Sequence, residues 1–206
     1  MHKLWLFVPL FALQLWAAPA DDLLRKSGEK FHSAKYWSLH FSVEASLAKE
    51  KKSAQYAGDL LLGPEDRFHL TIPGQEYVSD GATLWQFNQA QKQVMVKNVA
   101  DLQGALHPSE ALFRYLKCKP ISVKTGTDNN EPLQIIQLDP KGQVKGFTAM
   151  EVWLKKSDLT PVRLITTDNT GTISIYRITN LLANPPLQDK DFRFQAPEGV
   201  EEIDMR

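Results

Sequence analysis

Between Trp37 and Leu47 apolar and polar residues alternate without a break. Trp37, Leu39, Phe41, Val43, Ala45 and Leu47 share one parity, and Ser38, His40, Ser42, Glu44 and Ser46 share the other. A period of two puts the two sets on opposite faces of an extended chain, so the segment predicts a long strand with one buried face. Similar patterning predicts strands at Tyr56–Leu62, at Arg67–Ile72 with Phe68, Leu70 and Ile72 on one face, and at Gln93–Lys97. The charged turn Lys49–Ser53, the run Gly63-Pro64-Glu65-Asp66 and the pair Pro73-Gly74 separate them. Tyr77–Phe87 contains Asp80-Gly81, a two-residue hairpin signal because both positions tolerate positive φ.

The second half follows the same rule. Strands are predicted at Pro120–Lys124 and Leu133–Leu138, split by the polar loop Thr125–Glu131, and at Phe147–Leu154. Val162–Thr167 and Thr172–Ile178 flank the turn Asp168-Asn169-Thr170-Gly171, and a short strand is predicted at Phe192–Phe194. Helical character is confined to Asp21–Phe31 and to part of Val99–Lys117, where Pro108, Ser109 and Glu110 suit a first turn. About ten strands at meander spacing and few helices predict one strongly curved antiparallel sheet. The helices must bury their apolar sides, and the concave face of that sheet is the place for them.

Composition narrows the function more than the fold. Lys plus Arg and Asp plus Glu number 24 each in 206 residues. With no net positive field, nucleic acid is a poor partner, because its affinity rests on neutralising phosphates. At the N-terminus, His2 and Lys3 precede the apolar stretch Leu4–Trp16, then Ala17-Ala18-Pro19-Ala20 and abruptly Asp21-Asp22. This is the pattern of a signal peptide, residues 1–20, cut after Ala20 or alternatively after Ala17. At about 1.5 Å per residue the apolar stretch is too short to cross a hydrocarbon core roughly 30 Å thick. Export of a single domain, residues 21–206, is therefore expected. No Cys lies near the cleavage site to carry a lipid anchor, so the mature chain should be soluble. Cys118 is the only cysteine, which excludes an intramolecular disulfide and suits a small buried apolar residue.

Catalytic signals are absent. His32, His40, His69 and His107 lack the i, i+4 pairing around a Glu that marks a zinc helix, and His40 and His69 fall on the polar parity of their strands. No nucleophile elbow or phosphate-cradling glycine loop occurs, and the carboxylates are scattered through turns. No enzyme, metal or cofactor is indicated. Apolar surface is plentiful instead. Met150, Val152 and Leu154 oppose Phe147, Ala149 and Trp153 on one strand, and Trp85 and Phe87 oppose Leu84 on another. A strand apolar on both faces is either covered twice or meets a ligand.

Three stretches carry a resemblance. Tyr77-Val78-Ser79-Asp80-Gly81-Ala82-Thr83-Leu84-Trp85 resembles the V-S-D-G-x-T-L-W hairpin of the periplasmic outer-membrane lipoprotein carrier family, the LolA type. Gly58-Asp59-Leu60 with Pro64 and Phe68 is similar to the stretch before it, and Phe192–Val200 with Asp204 to the family's C-terminal signature. The resemblance implies an unclosed antiparallel β-barrel capped by a helical lid over an apolar cavity. It implies a non-enzymatic monomer in the periplasm that takes acylated lipoproteins from an inner-membrane ABC transporter to an outer-membrane acceptor. A lipid- or segment-binding sensory or regulatory module of the same fold is the alternative. With that prior, Leu39, Phe41, Val43, Phe68, Leu70, Trp85, Phe87 and Trp153 are the candidate cavity lining. The family's lid-holding Arg is replaced here by Gly63, and Arg67 is the candidate substitute.

Overall fold

The computed structural model describes residues 17–47, 53–101 and 107–206. Apolar residues 4–16 of the expected leader and most of the charged turn 49–53 lie outside the described residues. Twelve strands form one sheet in the order β12-β6-β5-β4-β3-β2-β1-β11-β10-β9-β8-β7. The strands are β1 (Trp37–Leu47), β2 (Ser53–Leu62), β3 (Arg67–Ile72), β4 (Gln75–Asp80), β5 (Thr83–Asn88), β6 (Gln93–Asn98), β7 (Lys119–Asp128), β8 (Glu131–Asp139), β9 (Phe147–Lys155), β10 (Pro161–Asp168), β11 (Thr172–Ala183) and β12 (Glu201–Asp204). Two antiparallel meanders, β1 to β6 and β7 to β11, join where β11 pairs with β1. Only β12 runs parallel to its neighbour, β6. Since β7 and β12 are the two edges, the curved sheet is unclosed.

The helices cover the concave face. Helix α1 spans Ala17–Ser33, so the expected cleavage point after Ala20 falls inside its first turns. Helix α2 spans Pro108–Phe113 and runs into a 3₁₀ turn at Arg114–Lys117. The main core lies between these helices and the inner parity of the sheet. Trp37, Leu39, Phe41 and Val43 of β1, Leu60 and Leu62 of β2, and Met150, Val152 and Leu154 of β9 meet Leu24, Leu112, Phe113 and Tyr115. Phe31 of α1 stacks on Phe113 at 3.4 Å and on Trp37 at 5.3 Å between ring centroids, which locks both helices to the start of β1.

A second core lies on the convex face, where the sequence pattern did not anticipate one. Val78, Val94, Val96 and Phe192 are fully buried there. The cover is the C-terminal segment. Phe192–Phe194, expected as a strand, instead ends a 3₁₀ turn at Asp189–Phe192, and the final strand is β12. The 3₁₀ turn lies against β3 and β4, and Phe194 meets Phe87 at 5.5 Å. Gly63 gives Phe192 its room, since a Cβ at that position would stand 3.1 Å from the ring.

Turn chemistry moved as well. At Asp80-Gly81 only Gly81 has positive φ, at 98°, and a Cβ there would meet the Glu65 carbonyl oxygen at 2.4 Å. The expected hairpin between β4 and β5 forms, but its two-residue turn is Gly81-Ala82, with the Asp80 carboxylate accepting the backbone N–H groups of Ala82 and Thr83, and not a turn with positive φ at both positions. The two-residue turn of that type is at Asn129-Asn130, with φ of 48° and 66°. Thr125–Glu131, expected as a loop, is therefore mostly the continuation of β7 and β8.

Candidate functional site

A cavity of about 320 Å³ opens on the concave face beneath α2. Six strands build its walls. Phe41 and Val43 come from β1, Tyr56 and Leu60 from β2, Phe68, Leu70 and Ile72 from β3, Tyr77 from β4, and Leu84 and Gln86 from β5. Tyr176 of β11 closes the far side, and Pro108, Ala111 and Leu112 of α2 form the roof. Strand pairing explains why these residues share a face. Leu62 sits opposite Phe68, Leu60 opposite Leu70, Leu70 opposite Tyr77, and Tyr77 opposite Gln86. Each inward row is continued by inward residues of the next strand. The cavity deepens along the strands: Tyr56 is 44% exposed, whereas Phe68 and Leu84 are 2% and 1% exposed. Among the described residues no charged side chain lines it, and Gln86 is the sole carboxamide.

Of the candidate lining residues, Phe41, Val43, Phe68 and Leu70 stand in this wall. Leu39 shares their face but is buried in the core. Trp85, Phe87 and Trp153 occupy the other parity, which corrects their expected placement. Trp85 and Phe87 pair with Val96 and Val94 on the convex face, and Phe87 is there met by Phe194 of the C-terminal segment. Trp153 lies on the same outer face with the Arg163 guanidinium 4.0 Å over its ring and its Nε1–H donating to Glu151. Both faces of these strands are covered, so the bulkier aromatics went to the side without the cavity. Tyr56, Leu60, Ile72, Tyr77, Leu84, Gln86, Tyr176 and the α2 residues were missed. Pairing Phe68 and Leu70 outward through β4 to β5 leads to Leu84 and Gln86, but that step needs the register.

Arg67 does not hold the lid. It sits on the outer parity of β3, where its Nη1 donates to Asp189 at 2.8 Å and its Nε to the Pro64 carbonyl at 3.1 Å. Its guanidinium stands 5.8 Å from the Phe192 ring centroid, so it fastens the C-terminal segment. The α2 end of the roof meets the sheet through His107. The His107 ring packs edge-on to Phe68 at 5.2 Å, its Nδ1 is 2.6 Å from the Ser109 hydroxyl, and its Nε2 is 3.5 Å from Asp66.

Helix α1 is tied to the turn between β9 and β10. The Ser27 hydroxyl shares a hydrogen bond with Tyr115 and donates to the Leu159 carbonyl. Burial pushes the Tyr115 phenol up to about 12, partly offset by Ser27. Lys30 donates to Asp158 and Thr160, each at 2.6 Å. Partial burial pushes the Asp158 carboxyl up, but the hydrogen bonds from Lys30 and Thr160 together outweigh it and hold it at about 2. A lowered carboxyl stabilises above its unfolded value of about 3.9 and loses that contribution as pH falls towards 2. Amide exchange in α1 should therefore stay flat from pH 7 to pH 4.5 relative to β1, then accelerate selectively at lower pH. Asp158→Asn should remove that acid-dependent step.

Reactive chemistry is missing around the cavity. Among the described residues no three His, Cys, Asp or Glu cluster as metal ligands. His40 pairs with Asp59 at 2.9 Å and His69 with Glu76 at 2.7 Å, both on the outer face. His69 is covered there, with its Nδ1 3.0 Å from the Asp191 carbonyl oxygen, rather than open to solvent. Cys118 is buried, and burial raises its thiol to about 11, which keeps it protonated and unreactive.

An unclosed sheet whose concave face holds a roofed cavity lined by apolar and aromatic side chains defines a class: a binding protein for apolar ligands. The chain belongs to the family of the outer membrane lipoprotein carrier protein LolA, whose family model matches residues 33–195. It is 29% identical to an outer-membrane lipoprotein carrier protein of Shewanella loihica over 179 residues, covering 81% of this chain and 78% of that one. A relative of the same description from Legionella pneumophila is 24% identical over 209 residues, covering 98% and 99%. Among solved structures, an uncharacterized conserved protein from Thermus thermophilus superposes with a TM-score of 0.56 at 13% identity, covering 90% of this chain and 99% of that one. LprF from Mycobacterium bovis superposes with a TM-score of 0.54 at 12% identity over the same shares. These two likenesses show the fold. Family membership makes the chain a periplasmic carrier and not an enzyme.

Proposed function

We propose that the cavity holds acyl chains of lipoproteins while the protein moves them from the inner to the outer membrane. The observation that carries this reading is the apolar and aromatic wall beneath α2, deep at Phe68 and Leu84 and open at Tyr56. Burying an acyl chain gains about 0.8 kcal/mol per CH₂, or roughly 12 kcal/mol for a sixteen-carbon chain. A chain held that strongly does not escape into water on a useful timescale. Loading and unloading therefore require direct contact, with an inner-membrane ABC transporter as donor and an outer-membrane acceptor as recipient. The roof supplies the counterweight. Pro108, Ala111 and Leu112 rest on the cavity, so cargo must displace apolar contacts as it enters, and their return favours release.

The mature protein in this proposal is a monomer beginning after the signal peptide of residues 1–20, with a single domain over residues 21–206. Mixing it with a purified triacylated lipoprotein, then removing detergent, tests the binding step. A soluble one-to-one complex by light scattering is expected. Precipitation of the lipoprotein at equimolar carrier would contradict the reading. A membrane-anchored partner captured without any cargo would favour a regulatory module of the same fold.

A further inference from the structure

Two tyrosines stand at the shallow end of the cavity in one cross-strand row. Val43 of β1 pairs with Tyr56 of β2 on one side and with Tyr176 of β11 on the other, so both rings rise from the inner face flanking one small side chain. Both line the cavity, Tyr56 nearly half exposed and Tyr176 half-buried. Phe41 fixes the Tyr56 ring edge-on, at 6.3 Å and 87°. Neither hydroxyl has a hydrogen-bond partner among the described residues, whereas Tyr77, the third tyrosine of the wall, donates to Gln75. Burial, and then the neighbouring Tyr176, push the Tyr56 phenol above its ordinary value, which keeps it a donor at any physiological pH. Tyrosine suits such a boundary because its ring is apolar and its tip is polar.

An acyl chain lying in this cavity with its head outward carries one polar group where the hydrocarbon ends: the carbonyl of its ester. That carbonyl only accepts hydrogen bonds, and two unpartnered phenols at the mouth can donate them. We propose that Tyr56 and Tyr176 form a polar subsite that receives the ester carbonyl of an acyl chain, so that the cavity distinguishes acyl esters from ethers and bare hydrocarbon. This rests on the carrier reading above and adds a chemical selectivity to it. The linkage is shared by lipid-modified proteins and diester phospholipids.

The test uses synthetic lipopeptides carrying two palmitoyl esters or the two matching hexadecyl ethers, titrated against the mature protein. Unpaired donors favour the ligand that satisfies them, at about threefold to tenfold per hydrogen bond. The wild type should bind the ester about tenfold or more tightly than the ether. Tyr56→Phe with Tyr176→Phe should bring ester affinity down to the ether value and leave the ether unchanged, with thermal melting unaltered. Displacement of the ester lipopeptide by a dipalmitoyl phospholipid assigns the subsite to acyl esters generally. Displacement by lipopeptide alone assigns it to lipid-modified protein. Equal affinity for ester and ether in the wild type, or an equal loss for both in the double variant, overturns the subsite while leaving the carrier reading intact. Binding of neither ligand overturns both.

Discussion

Leu70→Glu should abolish capture of acylated ligands while the protein stays folded. Leu70 lies in the cavity wall between Leu60 and Tyr77 and is only half-buried, so a carboxylate there can draw water into the cavity instead of forcing the sheet apart. A bound acyl chain would expel that water and leave a charge facing hydrocarbon. The cost of an unpaired buried charge is several kcal/mol, which corresponds to at least a hundredfold loss of affinity. Fluorescence titration with an acyl probe measures it, and circular dichroism checks the fold. Ser42→Glu, on the outer face of β1 opposite Arg177, places the same charge away from the cavity beside a cation and should leave affinity within about twofold. Equal loss in both variants would mean that binding depends on the sheet's stability and not on the cavity.

Phe192→Ala should be the more destructive change for the fold. Phe192 is fully buried against Tyr36, Arg67 and the gap left by Gly63. Removing a buried Phe side chain costs about 3–5 kcal/mol where the surroundings cannot collapse. Collapse is restricted here because the segment is pinned on either side, by Arg67 to Asp189 and by β12 to β6. Urea unfolding should show a loss in that range, with the denaturation slope unchanged. The cavity lies on the opposite face of the sheet, so ligand affinity of the still-folded fraction should match the wild type. Arg67→Ala should cost less, since its ion pair with Asp189 is largely open to solvent on the aspartate side.

These two variants fall on opposite faces of β3 and its surroundings, and the sequence was legible on only one of them. Trp37–Leu47 and Arg67–Ile72 were read to the residue because one parity is apolar, the other polar, and turn residues bound them. Parity cannot choose a face on β5 or β9, where both sides are covered. Trp85, Phe87 and Trp153 have the size of lining residues, but they lie on the outer parity, where Phe194 of the C-terminal segment meets Phe87 and Arg163 covers Trp153. The four residues of β12 carry no alternation, and their pairing with β6 is set by contacts distant in sequence. Asn129-Asn130 hid in a polar run that is mostly strand. The family motif was legible for a physical reason: Ser79, Asp80 and Gly81 each have a fixed task in one turn. Ser79 donates to the Asp66 carbonyl, Asp80 accepts two backbone N–H groups, and Gly81 passes close to Glu65. The lid contact was not legible, because Arg67 lies on the wrong parity to reach a helix and His107 offered no pattern.

In the proposed role, the roofed cavity carries lipoproteins between membranes. Inner-membrane vesicles or proteoliposomes containing the lipoprotein-releasing transporter, loaded with an acylated lipoprotein and given ATP, test it most directly. With the mature protein in the medium, lipoprotein should appear in the soluble fraction in an amount that saturates at one per carrier, and Leu70→Glu should release none. Lipoprotein that stays with the vesicles in the presence of wild-type protein, ATP and a competent transporter would contradict the account.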